Sequence, residues 1–287
     1  MIEQLGAGDR RADVAERGEA ALVEVALQRD GFDPRPIKVE AQELQDALAA
    51  LAPALRAAIQ TSIDRVREVS IATLPNSVSV ELAEGAHVHQ RWQPVDSVGL
   101  YVPGGKAVYP SSVIMNVVPA QAAGVDRLVI ATPAQKDFGG RPHPTVLATA
   151  ALLGVDEVLC VGGPAAVAAF AYGLSEIDFE PVNLVCGPGN IYVAAAKRAL
   201  RGTIGIDSEA GPTEIAIIAD ESAIPADVAA DLISQAEHDV IAAAVLVTTS
   251  TQLAGDVVIE LEKRVAATKH SDRIRTALTG IQSAIAI

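Results

Sequence analysis

Apolar residues recur at three- and four-residue spacing through 11–29, 41–51 and 53–69, and this period predicts three helices in the first part of the chain. Pro53 suits the first turn of the third, where its missing N–H leaves no bond unmade. A more polar, strand-rich stretch follows over 78–88 and 91–95. From Val98 onward short apolar runs alternate with helical segments. Strands are predicted at 98–100, 128–131, 158–161, 184–186, 214–218 and 243–248. Helices are predicted at 164–172, 191–200, 226–237 and 252–268. One more runs from Ser111 and Ser112, which offer N-cap oxygens, toward Gly124, kinked or split by Pro119. Gly124-Val125-Asp126 and Gly154-Val155-Asp156 recur 30 residues apart, each ahead of an apolar strand. That is the length of one strand plus one crossover helix, with each glycine placed to stop the helix before it. The alternation predicts an α/β protein with parallel strands and right-handed crossovers. The last residues, with Ile281, Ala284, Ile285 and Ile287, predict an apolar strand over 281–287 with an exposed edge.

Composition narrows the picture. Half of the 287 residues are apolar but only 3% are aromatic, so the core is built from Ala, Val, Leu and Ile. The net charge of −14, from 22 basic and 36 acidic residues, argues against a nucleic-acid or anionic-membrane surface. It leaves room for a local anion site made of backbone N–H groups. Met1-Ile2-Glu3-Gln4 does not read as a secretory leader, and the longest uncharged run, 107–125, is broken by Pro110 and Pro119. A cytoplasmic protein is expected, in which Cys160 and Cys186 are small buried hydrophobes.

Candidate chemistry lies where strands end. Tyr101-Val102-Pro103-Gly104-Gly105, Gly162-Gly163 and Gly187-Pro188-Gly189-Asn190 each follow a predicted strand and open toward a helix. None is a Gly-x-Gly-x-x-Gly fingerprint, but three such turns at one edge of a parallel sheet point to a nucleotide crevice. Gln235 and His238 stand three apart at a predicted helix end, so an amide oxygen and an imidazole share a face and supply half of a metal site. The same pair suits a solvated face or a C-terminal cap. Thr213 follows the Gly211-Pro212 turn and can hydrogen-bond a small polar ligand or simply close a strand edge. His87 and His89 share a strand face, His143 reads as an exposed loop residue, and His270 reads as a cation at a helix C-terminus.

Four segments carry a resemblance. They are the run from Val98 through Tyr101 and Gly104 to Ser112, Cys186-Gly187-Pro188-Gly189-Asn190, Ala210-Gly211-Pro212-Thr213-Glu214, and the run from Asp231 through Gln235 and His238 to Asp239. In order and spacing the chain resembles the histidinol dehydrogenase family, zinc- and NAD-dependent enzymes that end histidine biosynthesis. The resemblance implies oxidation of L-histidinol to L-histidine through the aldehyde, with two NAD and no nucleic-acid or membrane partner. It places NAD on Tyr101 and Asn190, substrate on Thr213, Gln235 and His238, and zinc on Gln235 and His238. Ala165 stands where the family carries a cofactor-contacting glutamine, and Thr213 replaces a serine while keeping its hydroxyl. The family's Glu–His acid–base pair, its remaining zinc ligands and the tail that completes a homodimer belong beyond Ile287. The resemblance makes the chain an NAD-dependent zinc dehydrogenase that is shortened at its C-terminal end and lacks that acid–base pair. A non-catalytic remnant and a related sulfopropanediol dehydrogenase are the alternatives. The implied fold has two incomplete Rossmann-like units with mainly parallel sheets and an N-terminal helical segment. Residues 101–212 form the NAD domain, and 213–287 pack with 1–100 and carry the half zinc site.

Overall fold

The computed structural model describes residues 7–29, 31–104 and 107–287. Gly105 of the first glycine turn and residues 1–6 at the start lie outside the described residues. The chain divides into two compact units, residues 1–210 and 211–287.

The first unit begins with α1 (Ala7–Arg17) and α2 (Glu19–Arg29) in place of one helix over 11–29. Gly18 turns left-handed between them, and Glu19 N–H donates to the Glu176 carboxylate at 3.2 Å. Then come α3 (Ala41–Ala50) and α4 (Pro53–Ala72), which starts on Pro53 as expected. The strand-rich stretch is a hairpin, β1 (Val78–Ala83) with β2 (Ala86–Gln90), paired antiparallel. Residues 91–95 form no strand; the Trp92-Gln93-Pro94 sequence is a loop, consistent with a proline that has no N–H to pair. Alternation then gives β3 (Ser97–Tyr101), α5 (Pro110–Ala123), β4 (Arg127–Thr132), α6 (Pro144–Leu152), β5 (Glu157–Cys160) and α7 (Gly163–Tyr172). The unit closes with β6 (Leu184–Cys186), α8 (Ile191–Leu200) and β7 (Gly205–Ile206).

Two local expectations change. Helix α5 begins at Pro110 with Tyr109 as its cap, so Ser111 and Ser112 are helical residues and not the N-cap. It runs through Pro119 as one helix and ends on left-handed Gly124. His143 is the cap of α6, its Nδ1 accepting Thr145 N–H at 3.1 Å.

The five-stranded sheet is parallel, in the order β5-β4-β3-β6-β7. Side chains alternate across it. Val98, Leu100, Ile130, Val158 and Cys160 meet α3, α4, α5 and α6 through residues such as Leu44, Ile59, Val117 and Val146. Tyr101, Val129, Ala131, Leu159 and Val185 meet α1, α2, α7 and α8 through Val14, Leu22, Phe170 and Val193. Both faces are covered, as parallel sheets require. The helices of residues 1–100 therefore belong to this unit. That corrects the expectation that they build a unit with 213–287: the apolar stripes of α1–α4 match faces of the five-stranded sheet.

The second unit contains β8 (Glu214–Ala219), α9 (Pro225–Ala236), β9 (Ala243–Thr248), α10 (Thr251–Ala267), α11 (Ser271–Leu278) and β10 (Ala284–Ala286). Its strands run parallel in the order β10-β9-β8. Helix α11 escaped the sequence reading, and His270 is its N-cap residue instead of a cation at a helix C-terminus. The expected terminal strand narrows to β10, whose Ile285 joins the core while Ile281 and Ile287 stay exposed.

Candidate active site

One candidate region lies within the first unit, at the carboxyl edge of the five-stranded sheet. Strand order reverses between β3 and β6, since β4 and β5 extend one way from β3 and β6 and β7 the other. Crossover helices therefore leave on opposite faces, and such a switch point is where open parallel sheets characteristically bind their ligands. All three glycine turns lie at this edge. Tyr101 ends β3 and is 4% exposed, and its hydroxyl accepts Gly163 N–H at 3.1 Å, tying the first turn to the start of α7. The turn after β6 packs against the other side of Tyr101. Gly187 has φ +112, and a side chain there would strike the Tyr101 carbonyl. Only glycine accommodates both the positive φ and that approach.

Asn190 is the N-cap of α8, its Oδ1 accepting Tyr192 N–H at 3.0 Å and Val193 N–H at 3.1 Å. It thus opens the helix and stands exposed at the edge. Ala165, where the resemblance implies a glutamine, is buried in the core beside the same layer as Tyr101. In the strand below, burial pushes the Cys186 thiol up to about 11, with the Asp207 carboxylate adding to the rise, which favours the protonated form. Cys160 is buried, in keeping with the sequence reading.

Sequence reading missed one charged group here. Lys197 of α8 is fully buried and pairs with Asp207 at 2.6 Å, directly under the 187–190 turn. The signal was present: Val193, Ala196, Lys197 and Leu200 fall at i, i+3, i+4 and i+7, so the lysine sits on the apolar stripe.

A separate candidate region lies within the second unit. Helix α9 ends at Ala236, two residues short of His238, but the backbone keeps turning and His238 N–H donates to Gln235 O at 3.2 Å. Gln235 and His238 thus stay on successive positions of one turn, His238 exposed. Gln235 Nε2 donates to Thr213 O at 2.7 Å and to Thr213 Oγ1 at 2.8 Å. A carbonyl only accepts, so the amide nitrogen must be the atom at Thr213, and Oε1 is the atom left for a ligand. Thr213 is held in turn by Ala243 N–H, which donates to its carbonyl at 3.3 Å. Thr213, Gln235 and His238 are therefore one local constellation of chain positions, with Thr213 and Gln235 joined through their side chains and His238 tied to Gln235 through the backbone.

An amide oxygen and an imidazole nitrogen are two neutral donors of kinds that zinc accepts. Among the described residues no group of three or more His, Cys, Asp or Glu could hold a metal. His87 and His89 lie exposed on the hairpin, their rings stacked at 6.0 Å. No helix among the described residues is long and apolar enough to cross a membrane.

Comparison with known proteins completes the picture. The family model described as histidinol dehydrogenase matches residues 11–287. Histidinol dehydrogenase of Thermobifida fusca is 58% identical over 275 residues, covering 96% of this chain and 62% of that protein. That of Leifsonia xyli is 53% identical over 281 residues, covering 98% of this chain and 64% of its own length. The crystal structure of histidinol dehydrogenase from Elizabethkingia anophelis superposes with a TM-score of 0.88 at 30% identity, covering 99% of this chain and 65% of that one. The chain thus spans under two thirds of the length of these relatives. With the three glycine turns at one sheet edge and the Thr213–Gln235–His238 constellation in place, the chain belongs to the histidinol dehydrogenase family.

Proposed function

We propose that this chain serves the NAD-dependent oxidation of L-histidinol to L-histidine through the aldehyde, as a cytoplasmic enzyme working as a homodimer. The observation that carries the reading is the pair of hydrogen bonds that Gln235 Nε2 donates to the Thr213 carbonyl and hydroxyl, one turn before His238, in a chain matched to the family from residue 11 to 287. An amide pinned on its nitrogen side presents its oxygen without further ordering, which is how a ligand is pre-organised.

The residues divide the work by unit. Gln235 Oε1 and the His238 imidazole would hold zinc. The Thr213 hydroxyl already accepts from Gln235, so its own proton is free to donate to a polar group of the substrate. In the first unit, the N-terminal turns of α7 and α8 would receive the dinucleotide, with Tyr101 fixing the former and Asn190 opening the latter. When bound, NAD supplies the hydride acceptor and zinc orients the substrate's imidazole and amine.

Zinc titration in the presence of histidinol, and separately of sulfopropanediol, tests the reading. Histidinol is expected to tighten zinc binding and the sulfonate to leave it unchanged. Gln235→Ala and His238→Ala should each weaken zinc roughly tenfold or more, the range seen when a site loses a ligand or its support. Equal zinc affinity in the wild type and both variants, or tightening by the sulfonate alone, would overturn it.

A further inference from the structure

Lys197 is 0% exposed, inside a layer made of Ala, Val, Leu and Phe. A buried ammonium persists only when paired and hydrogen-bonded. Its Nζ donates to Gly187 O at 2.5 Å and to Asp207 Oδ1 at 2.6 Å. The second carboxylate oxygen, Asp207 Oδ2, accepts Gly187 N–H at 2.9 Å. One ion pair therefore holds both backbone polar atoms of Gly187. Asp207 is fixed in turn, its N–H donating to Val185 O at 3.1 Å and its Oδ1 accepting Ser208 N–H at 2.6 Å. The next residues strap the turn again: Arg198 of α8 pairs with Glu209, and Gly189 N–H donates to Ala210 O at 3.3 Å.

For stability alone this is a poor choice. Well-packed apolar side chains of similar volume commonly serve a core as well as a buried ion pair or better. What the pair supplies is a backbone defined at a residue that has the widest freedom to adopt other shapes. The segment it defines is the glycine turn at the switch point, the one that opens α8.

We propose that Lys197, with Asp207, is a positioning pair that holds the 187–190 turn in the shape that receives the dinucleotide. This role rests on the NAD reading above. Neither side chain is assigned contact with the cofactor; they act through the Gly187 peptide groups.

The test combines amide hydrogen exchange with NADH titration on the wild type, Lys197→Met, Asp207→Asn and the double variant. The double variant leaves no unpaired charge in the layer and guards against simple unfolding. Peptides covering 186–191 should exchange at least tenfold faster in the variants while those from β3 and β4 are unchanged. The NADH dissociation constant should rise roughly tenfold or more. Unchanged exchange at the turn, a uniform rise across the whole sheet, or a loosened turn with wild-type affinity would each overturn the role. A wild type without NADH affinity would overturn both this role and the cofactor reading, whereas normal wild-type affinity matched by every variant would sink this role alone.

Discussion

Strands β3 and β8 look alike as text and live in different surroundings. Val98-Gly99-Leu100-Tyr101 and Ile215-Ala216-Ile217-Ile218 are both uncharged apolar runs followed within a dozen residues by a helix. Every residue of β3 is buried, because α1–α4 wrap round and join the crossover helices on both faces. In β8 burial alternates: Ile215, Ile217 and Ala219 pack with α9 and α10, while Ile218 is 85% exposed. The difference teaches that an apolar strand reports the sheet it can join, not how many layers cover it.

Substitution should separate the two sheets most strongly at their centres. Ile130→Ala, at a fully buried position of β4, is expected to lose about 2–5 kcal/mol in urea unfolding, from lost burial and the cavity left behind. A loss under about 1 kcal/mol would show that the five-stranded sheet is not the tightly packed one.

An ion pair sharpens the contrast next. Arg127 of β4 grips Glu157 of β5 through two bonds at 2.9 and 3.0 Å, and no ion pair joins strands of the second sheet among the described residues. The bond to Arg127 holds the Glu157 carboxyl below its ordinary value of 4.5. The folded state thus keeps this group unprotonated where the unfolded chain has begun to bind a proton. The stabilisation is full above the unfolded value and is lost as pH falls through the lowered folded one. Glu157→Gln should therefore lose about 1 kcal/mol at neutral pH and show less of the acid loss than the wild type, read from unfolding midpoints between neutral and acidic buffers. Parallel acid profiles for the two proteins would remove this pair from the account.

A smaller effect belongs to His143. Burial lowers its imidazole below 6.5, and its neutral Nδ1 caps α6. The folded pKa lies below the unfolded one, so this cap too is present at neutral pH and lost as pH falls through the folded value. His143→Ala should lose about 1 kcal/mol at neutral pH and little in acid. An equal loss at both ends would deny the cap its neutral form.

The smallest effect is expected at the outer face of the second sheet. Ile218→Ala should change stability by no more than about 0.5 kcal/mol. A loss comparable with Ile130→Ala would mean that this face is covered, and the comparison between the sheets would fail.

Local pattern alone determined much of this protein. The βα alternation, the glycine stops at Gly124 and Gly154, and the turns at 101–104 and 187–190 were all legible, because helix period, strand length and turn chemistry act within a few residues. Even Lys197 was within reach, as a cation on an apolar stripe. Tertiary structure decided what depends on distant partners. It assigned α1–α4 to the first sheet, because their stripes fit faces that sequence does not display side by side. It turned Tyr101 into a partner of Gly163, 62 residues away. It made His143 a cap, because the role depends on the imidazole's tautomer and on the amide it meets. And it gave Lys197 its counter-ion from Asp207, ten residues further along the chain and outside the stripe that hid it, since a buried charge is tolerated only where the fold delivers its partner.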